Sequence, residues 1–180
     1  MYRFQVELSD IDSGVYESLD LRVARHPSED AERLIVRVLA RALAHEEGLE
    51  FGRGLSNAED AALWAHSLTG EVATWVDVGL PGAERLHRAS KRAERVIVFT
   101  HKPGVTLRKE WRTRKIHQAQ TILVHRLAPE LVRDLAALLE RKMNWFVTIQ
   151  DRVLSITVGE NSFEGPIRVT TLFDLVSASA

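Results

Sequence analysis

DAALWAHSLTGEVATWVDVGLPGAERLHRASK, residues 60–91, holds two acids, a tight turn and a basic helix in succession. Its centre, 72–78, is a run of β-forming residues interrupted by Asp77. We read it as a strand in which Trp75, Asp77 and Gly79 face one way and Thr74, Val76 and Val78 the other. Leu80-Pro81-Gly82 ends it, and a helix follows over about 83–92, with Leu86, Ala89 and Ala93 inward. A carboxylate inside an apolar strand is costly unless it is ion-paired, hydrogen-bonded or bound to a cation. Asp60 lies upstream across the Thr69-Gly70 turn, a separation that suits two adjacent antiparallel elements; whether 60–64 opens a strand or a short helix, so few residues do not decide.

Working outward, VIVFT at 96–100 is wholly apolar, as in a strand covered on both faces. His101-Lys102-Pro103-Gly104 closes it, 105–117 is ambiguous, and 121–124 reads as another buried strand. Toward the N-terminus, 2–8 and 15–25 alternate and form a hairpin around Asp10–Gly14. Ser28 is the expected N-cap of a helix whose apolar residues recur from Ala31 to Leu43. Arg33, Arg37 and Arg41 share its second face, read as solvated. Residues 48–58 form a loop. Pro129 opens a helix to about 142, and 145–150, 153–158 and 167–172 are strands, with Asp151-Arg152 as a hairpin turn. The order predicts a mixed α/β sheet flanked by helices, with antiparallel hairpins at both ends.

The chain has 180 residues, 45% hydrophobic and 27% charged, with a formal net charge of -1. It is large enough for one core, and 1–180 reads as a single domain. The charge excludes a global basic field, so any nucleic-acid contact must be local. There is no cysteine, hence no disulfide or thiolate metal site. No apolar run spans a bilayer and the N-terminus has no signal-peptide core, so the expectation is a cytoplasmic protein with no membrane partner. The histidines lack zinc-ligand spacing.

Two carboxylates from neighbouring elements make an oxygen-rich pocket that suits Mg²⁺ or Mn²⁺ better than zinc. With a nearby lysine they can orient water and stabilise charge on a phosphoryl group.

ARHPSEDAER at 24–33, LEFGRGL at 49–55, LW with LTGEVATWVDVGLP at 63–81, RLHRA at 85–89, VIVFT at 96–100 and TIQD at 148–151 together resemble the YaeQ family of bacterial proteins, nearly end to end. The resemblance implies the PD-(D/E)XK nuclease fold, a four-stranded mixed sheet between helices, here with extra strands. It also implies a variant of that active site. The motif's lysine follows the second acid by two residues, where this chain has Gly79. Variants move it to the next helix, which makes Lys91 the candidate, sharing a face with His87, and Arg88 its competitor. The proline commonly found beside the first acid is absent, and Ala62 stands where another acid would be. The first helix often gives a glutamate, here Glu32.

These readings make Asp60 and Asp77 the metal ligands, with Glu32 and Lys91 completing a catalytic set. Arg25 and Arg88, with Arg108, Lys109 and Arg112 from the basic stretch 102–117, are candidate nucleic-acid contacts. The expectation is a metal-dependent nuclease. Its alternative is an inactive nuclease-fold protein that binds nucleic acid or a protein partner. A shared cation requires the carboxyl groups of Asp60 and Asp77 to approach one point.

Overall fold

The computed structural model describes residues 1–53 and 57–179. The expected loop at 48–58 and the LEFGRGL stretch therefore fall partly outside the described residues. β1 (Tyr2–Asp10) and β2 (Val15–Val23) pair antiparallel as expected. Phe4, Val6 and Leu8 are buried on one side, which is what their period of two dictates.

α1 (Ala31–Leu43) starts later than expected, because Asp30 and not Ser28 caps it: its Oδ1 accepts from the Arg33 N–H at 2.7 Å. The Ser28 hydroxyl pairs with His26 Nδ1 at 2.7 Å instead. The arginine stripe is not a solvated face. Arg37 is 1% exposed. It donates to Glu29 Oε2 through Nε at 2.8 Å, to Glu29 Oε1 through Nη2 at 2.7 Å, and to the Ala24 carbonyl at 2.7 Å. Arg33 also pairs with Glu29, so that acid is the anchor of a buried ionic group.

The segment around Asp77 folds as β4 (Leu63–His66), β5 (Val72–Val78) and α2 (Ala83–Arg92). A two-residue β3 (Glu50–Phe51) pairs with β4, and β4 with β5, both antiparallel. Residues 60–62 precede the strand, which settles the choice left open there. β6 (Arg95–Thr100) runs parallel to β5, and β7 (Leu123–Leu127) parallel to β6. The ambiguous stretch contains α3 (Gly104–Trp111), which buries Leu107 and Trp111 one turn apart. The Trp111 indole donates to the Pro81 carbonyl at 2.8 Å. Thr121 and Ile122 lie before β7 because their N–H groups bond to the Gln118 carbonyl.

α4 (Pro129–Ala137) is shorter than expected. Lys142 and Met143 belong instead to β8 (Lys142–Gln150), which pairs parallel with β1 from Arg3↔Lys142 onward. β9 (Val153–Val158) returns through Asp151 and Arg152, both at positive φ, 53° and 61°, as a two-residue hairpin requires. The Asp12 carboxylate accepts both of their N–H groups at 2.8 Å. β10 (Asn161–Thr171) is longer than expected, pairing first with β9 and then with β7. The chain then enters an unexpected short α5 (Leu172–Ser177), capped by Thr171.

Among the described residues all strands join one ten-stranded sheet in the order β2-β1-β8-β9-β10-β7-β6-β5-β4-β3. α1 and α4 lie on one face in a core with Phe4, Trp145, Val76 and Phe99. α2, α3 and α5 cover the other, with Trp75, Val98 and Val124. The sheet curls around α1. Arg37 bonds to Ala24 just after edge strand β2, and its guanidinium lies 5.7 Å from the ring of Phe51 in the opposite edge strand β3. Among the described residues no helix is long and apolar enough to cross a membrane.

Candidate functional site

β5, β6 and β7 run parallel to one another, and their carboxyl ends open on one side of the sheet. Crevices at such ends are where open α/β sheets bind ligands. A cavity of about 450 Å³ lies there, walled by Asp60, Asp77, Gly79, Arg85, His101 and Lys102, with Asp30 and Arg33 from the start of α1.

Asp77 is 2% exposed. Its cost of burial is offset by Arg85, in the first turn of α2, which grips it with both arms: Nε to Oδ2 at 2.8 Å and Nη2 to Oδ1 at 2.9 Å. The Ala62 N–H lies 3.4 Å from Oδ1. Arg85 also donates to the carbonyls of Ala58 and Asp60, each at 2.6 Å, and stands 5.2 Å from the Trp75 ring. Burial opposes its charge, but Asp77, with Glu59 and Asp60, outweighs burial and raises its pKa above the ordinary value.

Asp60 is 4% exposed and lines the same cavity. Its carboxylate accepts from Arg53 Nε at 2.7 Å, Nη2 at 3.0 Å and the Arg53 backbone N–H at 3.2 Å. That side-chain bond holds its pKa below the ordinary carboxylate range against the effect of burial. Both expected metal ligands thus sit in one cavity, and each is engaged by its own guanidinium. Among the described residues no three histidine or acidic side chains are grouped to hold a metal ion. While so engaged, the two acids present no free oxygens converging on one point, as a hard divalent cation requires.

The position where the resemblance implies a lysine has a constrained backbone. Gly79 lies at φ 80°, where its N–H bonds to the Phe99 carbonyl at 2.9 Å. A lysine there would be forced into the left-handed region. Glu32, the expected helper, points its Oε2 at His101 Nε2, 3.1 Å away. His101 is 8% exposed, and its buried Nδ1 has no hydrogen-bond partner among the described residues.

The family model for the YaeQ protein matches residues 1–166. The chain belongs to the YaeQ family. It is 29% identical over 165 residues to the YaeQ protein of Escherichia coli K12, covering 91% of each chain. Its similarity to the YaeQ protein of Salmonella typhi is 28% over the same length and share. The crystal structure of the YaeQ protein from Pseudomonas syringae superposes with a TM-score of 0.84 at 33% identity, covering 94% of both chains. That from Xanthomonas axonopodis pv. citri gives 0.84 and 33%, covering 94% of this chain and 97% of the other.

In this YaeQ fold the remaining candidates scatter. Arg85, Arg88 and Arg92 share the face of α2 turned to the 58–60 loop, and line a smaller crevice with Trp75. Lys91 lies on another face and is absent from the Asp77 cavity. Burial, then the Lys91 ammonium and the neighbouring His117, lower the His87 pKa from its ordinary value. Arg88 stands at the rim, 4.0 Å from Glu59 and from Glu84. Arg25 is used internally, donating to the Glu29 carbonyl at 2.9 Å. Arg112 donates to the Val176 and Ala178 carbonyls at the end of α5. Lys109 is exposed. Arg108 turns toward the start of its own helix. Sequence reading missed Arg85 although it opens the RLHRA stretch; its place in the first turn after Gly82 was the available signal. Lys102 and His101, read only as a strand stop, form another wall of the cavity.

Proposed function

We propose that this chain has a PD-(D/E)XK nuclease-type core and uses its cleft to bind nucleic acid without cutting it. Support for the fold reading is the order α1, β3, β4, β5, α2, β6, a four-stranded mixed sheet between helices on both faces. The observation that carries the functional reading is the two-armed Arg85–Asp77 pair. A guanidinium stands where the nuclease reading would put a cation. It neutralises the acid that would otherwise repel phosphate, yet it cannot activate water as a metal does. Lys102, whose ammonium has no side-chain partner among the described residues, supplies positive charge at the cleft wall. Strand binding of this kind is electrostatic and weakens with salt.

One observation favours hydrolysis as a second reading: Asp60 and Asp77 line one cavity. In that reading Arg85 and Arg53 release their acids, Asp60 and Asp77 hold Mg²⁺ or Mn²⁺, and Glu32 acts through His101. Titration of each cation by calorimetry into wild type and Asp77→Ala, beside cleavage and binding assays on DNA and RNA, separates the readings. We expect strand binding with neither cation heat nor cleavage. Cation heat that disappears in Asp77→Ala, together with cleavage, would overturn the binding-only reading. Absence of any strand binding would move the cleft to a protein partner.

A further inference from the structure

The register of β7 against β10 sets Arg126 directly opposite Arg168. Like charges facing each other across an antiparallel pair are destabilising. A third cation joins them. A methyl group placed on Gly104, the first residue of α3, would lie 3.0 Å from Arg126 Nη2 and 3.0 Å from Arg108 Nη1. Two guanidinium groups from different elements thus converge over the amino end of a helix that has no side-chain cap.

Among the described residues none of Arg108, Arg126 and Arg168 has an ion-pair partner; the acid on the adjoining wall is Glu130, in the first turn of α4. Arg126 is half-buried, and its pKa is lowered by burial, then by Arg168 and Arg108. A chain of net charge -1 with acids to spare leaves this group of cations uncompensated. Each other guanidinium near the Asp77 cleft, by contrast, is satisfied by a carboxylate or a carbonyl. Lys102 connects the two places. It lines the Asp77 cavity and also the neighbouring cavity of about 240 Å³ beside Arg126 and Arg168.

We propose that Arg108, Arg126 and Arg168, with Lys102, form a phosphate-binding site that holds the backbone of a nucleic-acid strand running on from the Asp77 cleft. The strand part rests on the proposed nucleic-acid function; the phosphate chemistry does not. Forked guanidinium donors match phosphate oxygens in pairs, and the helix amino end adds backbone N–H groups and partial positive charge. A phosphate here would relieve the Arg126–Arg168 repulsion.

The test compares the full chain with Arg126→Gln/Arg168→Gln, both changes lying away from the buried cores. Thermal unfolding is followed with inorganic phosphate and with chloride at matched ionic strength. Binding of a fluorescent single strand is measured over a salt series. We expect phosphate to raise the wild-type Tm above the chloride control and to leave the double variant unmoved. Without phosphate, the variant should melt at or above the wild type. Strand binding should weaken, and its salt slope should fall by about 1 for each phosphate no longer held. An equal phosphate shift in both proteins, or none in either, overturns the site. If the phosphate shift vanishes in the variant but wild type binds no strand, the phosphate site stands and the nucleic-acid function falls. If strand binding is present and unchanged by the substitutions, the strand path proposed here is wrong while the function stands.

Discussion

Arg85 joins β5, the loop before β4 and α2 at a single guanidinium. With 25% of its side chain exposed against 3% for Asp77, most of what it protects is the acid. Arg85→Ala leaves a buried carboxylate without its counter-charge, for which losses run to about 3–5 kcal/mol. Urea denaturation should show that loss. Arg85→Lys should recover only part of it, because an ammonium cannot occupy both oxygens in parallel. Asp77 was legible as a site residue because an acid in an apolar strand needs a partner. The partner was not, since spacing from His87 pointed along the helix to Lys91. Which face of α2 meets β5 depends on the turn at Gly79 and on Trp75 beneath Arg85, and neither is a local property of the helix.

Among the elements, β5, α2 and β9 have the limits their local patterns announce. The departures occur where pairing partners are distant. α4 gives up its last turn because Lys142 and Met143 are taken by β1. The polar start of β10 becomes strand through β9. β7 carries a titratable group in its middle. His125 stacks on Phe99 with ring centroids 4.5 Å apart, and burial pushes its pKa down to about 4. The unfolded chain takes up a proton near the ordinary value of 6.5, while the folded strand keeps the ring neutral. Stability is therefore complete above pH 6.5 and falls as pH drops from there toward about 4. His125→Leu should flatten that slope in denaturation curves measured across the window. The corresponding loss from Asp60, whose pKa is held below its ordinary 3.8, comes only at lower pH.

For the molecule as a whole, Arg37 is the tie between opposite edges of the curled sheet. A helix stripe of arginines gives no sign of this, because amphipathic spacing assumes one wet side, and α1 has almost none. Arg37→Ala should cost about 3–5 kcal/mol through the buried Glu29 carboxylate it strands. Thermal unfolding should register it as a lowered Tm, whereas the exposed pair Arg3–Asp20, broken by Arg3→Ala, should change little. The parallel pairing of β1 with β8 also orders events during synthesis. The first hairpin leaves the ribosome with one edge of β1 unpaired, because the strand beside that edge begins only at Lys142. At roughly 5–20 residues per second, the hairpin waits on the order of 10 s for that neighbour. Until β8 is made, β1 therefore keeps one edge of unpaired backbone N–H and C=O groups, the kind of edge that pairs with other chains.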